Sequence, residues 1–584
     1  MRSSLLVRAL GALALASSPR ADGREPVLLQ FATDFPQAPL AANADLTATL
    51  YRTASESVLY LRRSDGRGLL WEPLELVVQI APKAVREHAL AVLGGATYVL
   101  WNDERFESAS SGPTPAETPF LRVHDGASFG PEVQLPVLGP VAERSVFAQD
   151  LSVTQAGASA HVHVAARELV YDPLDQVERA RLVLYSSHDG GASWLDPLVL
   201  SPLGAAPPTG QVRVLAHGLD VHVLWPEGDP QAGPAPLLHQ RSSDGGQSLD
   251  WLAPQSVPGA LAVTRFDADL EASLLALAVE NELPAFGSQS SLLVSTPDRG
   301  DSWHAPHSFS APGFLVTQTR NPQVAIAKGS SRLSAVCEAV ALPGPFALVA
   351  THSSDGGASW EPGQLVAQGW VTAPSLVASA EPRTRTAIGW LDDFILDGGG
   401  ALGTARARSS LDGGSSYGVA LSLADFDVRA FELAWSDLYQ NAHAMLLAAN
   451  SLQSIYAGGF RPQALELFGV QAGSTAVSAA FGGFDGGADL VWLLLSDTLA
   501  GASLALGDGR ELGLAPSPLL SASLGLAASG PFAVPLSAPG GTAFLPLPLA
   551  SGLPPGLQLH AVGLSLDLDS IGLLDLSDVI AVGS

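Results

Sequence analysis

Ser353-Ser354-Asp355-Gly356-Gly357-Ala358-Ser359-Trp360 belongs to a pattern that the chain keeps repeating, Ser/Thr-x-Asp-x-Gly-x-Ser-aromatic. Full copies stand at Ser187, Asp189, Gly191, Ser193 and Trp194, and at Thr296, Asp298, Gly300, Ser302 and Trp303. The copy at Asp412 ends in Tyr417, and the copy at Asp244 has Leu249 where the aromatic belongs. Two weaker copies lie upstream: Ser64–Trp71, with Asp65 displaced by one residue, and Asp125–Phe129, one residue short. The composition of the box is turn chemistry. The Asp carboxylate accepts backbone N–H bonds, and Gly takes positive φ without a steric penalty. The first hydroxyl adds a second side-chain bond across the turn. The closing Trp begins the next strand and has enough apolar area to pack between sheets. A motif repeated this often is structural, since one active site needs only one copy.

The last box positions are Trp71, Phe129, Trp194, Leu249, Trp303, Trp360 and Tyr417, separated by 54 to 65 residues. That period fits a four-stranded propeller blade. The rest of the unit repeats with it. A strand ending in an aromatic and then acids occurs at Tyr98–Asp103, Val221–Glu227 and Thr386–Asp392. Seven units carry a box or its remnant. An eighth follows without one, with strands at 431–435, 442–449, 454–460 and 464–468. The expected fold class is therefore all-β, a propeller of seven or eight four-stranded blades over 26–468. From 470 to 584 the chain is dominated by Leu, Ala, Gly, Ser and Pro, and is expected to form a small C-terminal β-sandwich.

Composition supports many short strands, with 59 Gly and 43 Pro in 584 residues and an apolar fraction of 47%. A formal charge of -27 with only two lysines, Lys83 and Lys328, excludes a nucleic-acid partner, because phosphate binding needs a basic face. Residues 1–22 read as a secretory signal: Arg2 supplies a positive start, Leu5–Ala16 is mostly apolar, and Ala14-Leu15-Ala16 offers a cleavage site. A secreted, periplasmic or cell-surface location is expected, with no transmembrane segment elsewhere. The lone Cys337 excludes intramolecular disulfides and reads as core packing. His161 and His163 alternate on one strand without a third ligand at a recognisable spacing, so no metal site or cofactor is expected.

The repeated Ser-x-Asp-x-Gly-x-Ser-Trp resembles the Asp box of the sialidase-like (BNR-repeat) β-propellers, over roughly residues 38–468. The resemblance implies that the boxes sit between the third and fourth strands, on the face away from the ligand site. The structural Asp boxes are then Asp189, Asp244, Asp298, Asp355 and Asp412 with Trp194, Trp303 and Trp360. The opposite face collects acids after the second strands (Glu280, Glu338, Asp392, Asp393) and arginines at the first strands (Arg144, Arg213, Arg265, Arg320). A sialidase uses three arginines, an Asp acid/base and a Tyr nucleophile. Carried over, this makes Arg144, Arg265 and Arg320 candidate ligand-binding residues and Tyr439, Asp392 and Asp393 candidate catalytic ones. The Phe/Tyr-Arg-Ile-Pro motif of sialidases has no copy before Ser64; its nearest match, Phe460-Arg461-Pro462, follows the last box. The expected function is recognition of a glycan or extracellular protein ligand at the propeller mouth by a monomer. A sialidase-type exo-glycosidase is the alternative, and a protein-binding scaffold the third.

Overall fold

The computed structural model describes residues 24–30, then 40–436 apart from 44–45, 53–57, 66–71, 81–84, 106–116, 137–143, 173–176, 205–210, 228–234, 284–287, 313–314, 343–345, 380–384, 398–399, 411–412, 416 and 418–419; beyond 436 it describes the strands between 441 and 583. All regular structure among these residues is β. Six antiparallel four-stranded sheets follow one another over 40–79, 85–134, 144–199, 213–256, 263–308 and 315–369, and are blades 1 to 6. Blades 7 and 8 share one strand. Leu421–Ser436 pairs with Gly400–Ser410 of blade 7 through its first residues (Ala407↔Leu421) and with Asn441–Ala448 of blade 8 through its last (Leu433↔Ala444).

The fourth strand of blade 8 differs from the sequence expectation. Ala464–Phe468 does not complete that blade; it pairs with Ala476–Gly482 in a separate three-stranded sheet. The N-terminal strand Arg24–Gln30 occupies its place, pairing with Ile455–Phe460 in the register Val27↔Ala457. The reason is spatial. In a closed ring the first and last parts of the propeller meet, so the first strand and the last hairpin are neighbours despite their separation in sequence. The innermost strands touch in succession around the ring, from Leu40–Ala42 of blade 1 through to Leu421–Ser436, which meets Leu40–Ala42 again. The propeller has eight blades. Past it lie two antiparallel sheets of three and five strands.

Each innermost strand is a sheet edge whose outward N–H groups need acceptors. Side chains of the preceding blade supply them. Asp150 Oδ2 accepts from Val214 N at 2.9 Å, Ser152 Oγ from Ala216 N at 3.1 Å, and Thr154 Oγ1 from Gly218 N at 2.9 Å. Asp267 and Asp269 do the same for Val324 N and Ile326 N, at 3.0 and 2.7 Å. Glu432 accepts from Leu40 N at 3.2 Å and so joins blade 8 to blade 1. Much of the chain's acidity along the axis is therefore structural.

Between blades the core is apolar. Trp101, Trp225 and Trp390, the aromatics that end the second strands, are among the largest fully buried side chains. Truncating a buried tryptophan costs about 3–5 kcal/mol. The hairpin of strands two and three is tallest in blade 3 (strands of 14 and 11 residues) and blade 7 (12 and 11), against 7 and 6 in blade 4. At about 3.4 Å per residue these hairpins rise some ~15 Å above the lowest. They stand on opposite sides of an eight-blade ring.

Candidate functional site

The boxes occupy the turns between third and fourth strands. In the box at Ser353, Ser353 Oγ donates to Asp355 Oδ1 at 2.8 Å and accepts from Gly357 N at 2.8 Å. Asp355 also accepts from Ser359 N at 2.9 Å and Ser359 Oγ at 2.5 Å. The boxes at Asp189, Asp244 and Asp298 repeat these bonds. Hydrogen bonds from the Ser359 hydroxyl and amide hold the Asp355 carboxyl at about 2. Trp194, Trp303 and Trp360 pack into the core clusters beside their blades. Where Leu249 replaces the aromatic, Trp251 stands two residues on, edge-on to His239 at 5.1 Å. Asp412 lies outside the described residues.

The box also seats on its neighbour. A Cβ on Gly357 would fall 2.1 Å from Ser295 Oγ of blade 5, and one on Gly246 2.0 Å from Ser186 Oγ of blade 3. Ser295 Oγ donates to the Gly356 carbonyl at 2.8 Å, and His188 Nε2 bonds the Gly245 carbonyl at 2.8 Å. All these carboxylates and hydroxyls are used within the turn or across the blade seam. His161 stacks on His188 at 4.1 Å and His163 bonds Ser186 Oγ at 3.0 Å, so both pack in that seam. No group of three or more His, Cys, Asp or Glu among the described residues is placed to hold a metal.

On the opposite face, at the starts of first strands and ends of second strands, the acids and arginines form a network between blades 5, 6 and 7. Glu338, fully buried, accepts from Arg320 Nε at 2.6 Å, Asn321 Nδ2 at 2.7 Å, Thr372 Oγ1 at 2.8 Å and Ala373 N at 2.7 Å. Glu280 accepts from Asn321 N at 2.6 Å and Thr264 Oγ1 at 2.7 Å. Asn321 and Ala373 both have positive φ, 48° and 53°, and each offers its N–H to the carboxylate of the blade before. Arg265 donates to the Asn321 side chain, so Arg265 and Arg320 belong to one chain of bonds. The four donors around Glu338 fill the acceptor capacity of a carboxylate. It clamps blades 6 and 7.

Of the remaining candidates, Tyr439 lies outside the described residues, and of Arg144 only the backbone is described. Asp392 pairs with Arg406 Nε at 2.8 Å, and burial pushes its carboxyl up while Arg406 pulls it down. Asp393 is exposed, at φ 51°, in a bulge between the pairs Asp392↔Thr404 and Ile395↔Leu402. Gly403 faces this bulge without room for a side chain, since a Cβ there would meet the Asp392 carbonyl at 2.7 Å.

One residue went unnoticed in the sequence. Trp370, between the last strand of blade 6 and the first of blade 7, is 58% exposed. Its ring meets Phe394 at 6.1 Å and Phe346 at 6.0 Å, both edge-on, while its carbonyl accepts from Phe394 N at 3.2 Å. Arg320 lies over Phe346 at 4.7 Å. The result is a supported aromatic surface on the mouth face, and the residues on either side of Phe394 in the strand, Asp393 and Ile395, are exposed. Trp370 stands neither in a box, like Trp194, nor in a second strand, like Trp101, Trp225 and Trp390.

Beneath the mouth, the axial cavity of about 1220 Å³ is lined by Arg213, Asp267, Asp269, Arg265, Gln323 and Glu432 among others. Arg213 lies 3.8 Å from both Asp150 and Asp267. Burial raises the carboxyl of Asp269 to about 6. Glu432 lines the same cavity, and loss of solvent around it pushes its carboxyl up to about 7.

Eight blades, with the hydrogen-bonded Asp–Gly turn between strands three and four in blades 3 to 6, make the fold an eight-bladed β-propeller. No family model and no curated protein matches the chain. Among solved structures it is similar to a Hadza microbial sialidase (13% identity, 70% of this chain and 75% of that one, TM-score 0.33). It is also similar to a polysaccharide (ulvan) lyase (10%, 75% and 94%, TM-score 0.36) and to Trypanosoma rangeli sialidase in complex with sialic acid (13%, 96% and 84%, TM-score 0.29). At such values the fold rests on the chain's own sheets and boxes, and no activity is carried over.

Proposed function

We propose that this propeller is an exported glycan-binding protein whose recognition surface is the Trp370 platform on the mouth face. The observation that carries the reading is an indole left 58% exposed although Phe346 and Phe394 buttress it. An exposed, rigidly supported indole suits the C–H face of a sugar ring, which is apolar and meets the negative face of the π system. The polar groups around it, Asp393 and the Arg320–Glu338 pair, are of the kind that orient hydroxyls. The positive start and apolar run of residues 1–22 support export. The apolar, turn-rich composition of 470–584 supports a sandwich appended to the propeller.

The test is a glycan-array survey followed by titration of the strongest oligosaccharide. Trp370→Ala is expected to weaken binding about tenfold, the worth of one aromatic contact near 1.4 kcal/mol. Unchanged binding by that variant, or a survey without any glycan ligand, refutes the reading. Release of free sugar from a bound oligosaccharide, lost in Tyr439→Phe, would convert it into the glycosidase alternative.

A further inference from the structure

Blade 4, residues 213–256, has buried imidazoles in the seams on both of its sides. Its own box is seated on histidines of blade 3. A Cβ on Gly245 would fall 2.7 Å from His188 Nε2 and 3.3 Å from His161 Nδ1, and one on Gly246 3.6 Å from His163 Nδ1. The box of blade 5 is seated on blade 4 in the same way, with a Cβ on Gly300 falling 2.5 Å from His239 Cε1. Behind that contact His222 Nδ1 and His239 Nε2 lie 2.9 Å apart in stacked rings. Other seams are floored differently. Gly191 of blade 3 meets Leu121 and Gly357 of blade 6 meets Ser295. Gly414 of blade 7 meets Ser334 Oγ, and reaches the half-exposed His352 only at its Cβ.

The rings beside blade 4 are packed to be neutral. The His222–His239 bond needs one unprotonated acceptor nitrogen. His163 Nε2, His222 Nε2 and His239 Nδ1 are buried and have no hydrogen-bond partner among the described residues. The titratable groups facing His163 are His161 and His188, so no carboxylate there matches a proton. Those facing His222 and His239 are each other, Arg241, Arg299 and Asp250, and Asp250 is already bonded to Arg241 and Ser243. By contrast, buried His124 in the seam of blades 1 and 2 faces the Glu75 carboxylate at 3.0 Å. Blade 4 is also the slightest of the first six. Its second and third strands, of 7 and 6 residues, are together the shortest such pair in blades 1 to 6, and Leu249 stands where its box should end in an aromatic.

We infer that blade 4 is an acid-labile joint of the ring: on mild acidification its seams with blades 3 and 5 open reversibly while the other blades stay folded. Opening hydrates the rings, and each then takes up a proton that it cannot hold when packed. Burial keeps His163 and His222 near 3, below the ordinary 6.5. The closed seams are therefore fully favoured above pH 6.5 and lose that advantage as pH falls toward 3. Between pH 7 and 5 the opening constant rises about 25-fold for each ring released. The inference is independent of the glycan reading.

The experiment is hydrogen–deuterium exchange on the full chain at pH 7, 6 and 5, corrected for the intrinsic pH dependence of exchange. Peptides from 213–256 report blade 4 and peptides from 315–369 report blade 6. Blade 4 is expected to lose protection about 25-fold or more between pH 7 and 5 and to regain it on return to pH 7, while blade 6 changes about threefold at most. His222→Gln and His163→Gln each remove one titrating ring, and each should shrink the blade 4 response by about 25-fold. Should either variant be open already at pH 7, the wild-type series alone decides. Parallel loss in blades 4 and 6, which marks global unfolding, overturns the inference. So does unchanged protection of blade 4 down to pH 5, or a full-sized response in both variants.

Discussion

Replacing Gly357 by Ala tests whether the box is an inter-blade joint or only a turn. The comparison is Gly356→Ala, one residue earlier in the same turn. Both glycines have left-handed φ, 73° and 86°, so both variants suffer the penalty of an L-residue there, about 1–2 kcal/mol. They differ in what the new methyl meets. At Gly356 the nearest atom is Leu274 Cδ1 at 3.6 Å, an ordinary contact. At Gly357 the methyl falls 2.1 Å from Ser295 Oγ, 3.0 Å from Ser295 Cβ and 3.2 Å from Leu333 Cδ1. Ser295 cannot simply turn away, because its hydroxyl donates to the Gly356 carbonyl. Losing that bond costs about 1 kcal/mol, and crowding a packed seam about 1–3 more. Gly357→Ala should therefore be about 2–4 kcal/mol less stable than Gly356→Ala. The assay is urea denaturation followed by tryptophan fluorescence, with Ser295→Gly as the second arm of a double-mutant cycle. Removing the serine side chain should recover most of the difference, giving a coupling of about 2 kcal/mol or more. Equal losses in the two alanine variants, or no coupling to Ser295, would show that blades do not seat on one another through the box.

Two further outcomes follow from the buried groups. His163 and His222 are held near 3 by burial, and burial likewise holds His239 well below its ordinary value. The unfolded chain then binds protons that the fold does not, so stability contributed by these neutral rings falls as pH drops from 6.5 toward 3. Each costs about 1.4 kcal/mol per pH unit, roughly 6 kcal/mol for the three at pH 5. His163→Gln should flatten the slope of stability between pH 6.5 and 5 by about 1.4 kcal/mol per unit, and an unchanged slope measured by denaturation refutes the assignment. Glu338→Gln leaves donors unmatched at the clamp between blades 6 and 7 and should cost about 3 kcal/mol, read as a lowered thermal midpoint. An undiminished midpoint with altered sugar binding would instead place Glu338 in recognition.

The blades were legible because the box is local: its hydroxyl, carboxylate and glycines bond within eight residues, and its period marks each sheet. The closing strand was not, because Arg24–Gln30 has no box and finds its partner Ile455–Phe460 only in three dimensions. Site chemistry was legible in kind and not in outcome. Glu338, Asp392 and Asp393, expected after the second strands, all lie within them, yet one is clamped by four donors, one is paired with Arg406, and one is exposed. The difference lies in bulges and neighbouring blades. Trp370 looks in sequence like any other tryptophan.

The shared eighth blade has a consequence in time. Blades 1 to 6 each become complete as soon as their own residues are available, and each pairing is short in sequence. The ring as a whole waits, because Arg24–Gln30, the earliest described strand of the propeller to leave a ribosome, finds its place only once residue 460 has followed. Until then its backbone is a free edge able to pair with another chain. The first strand made is the last one used, and the interval between the two is when this protein is most exposed to misassembly.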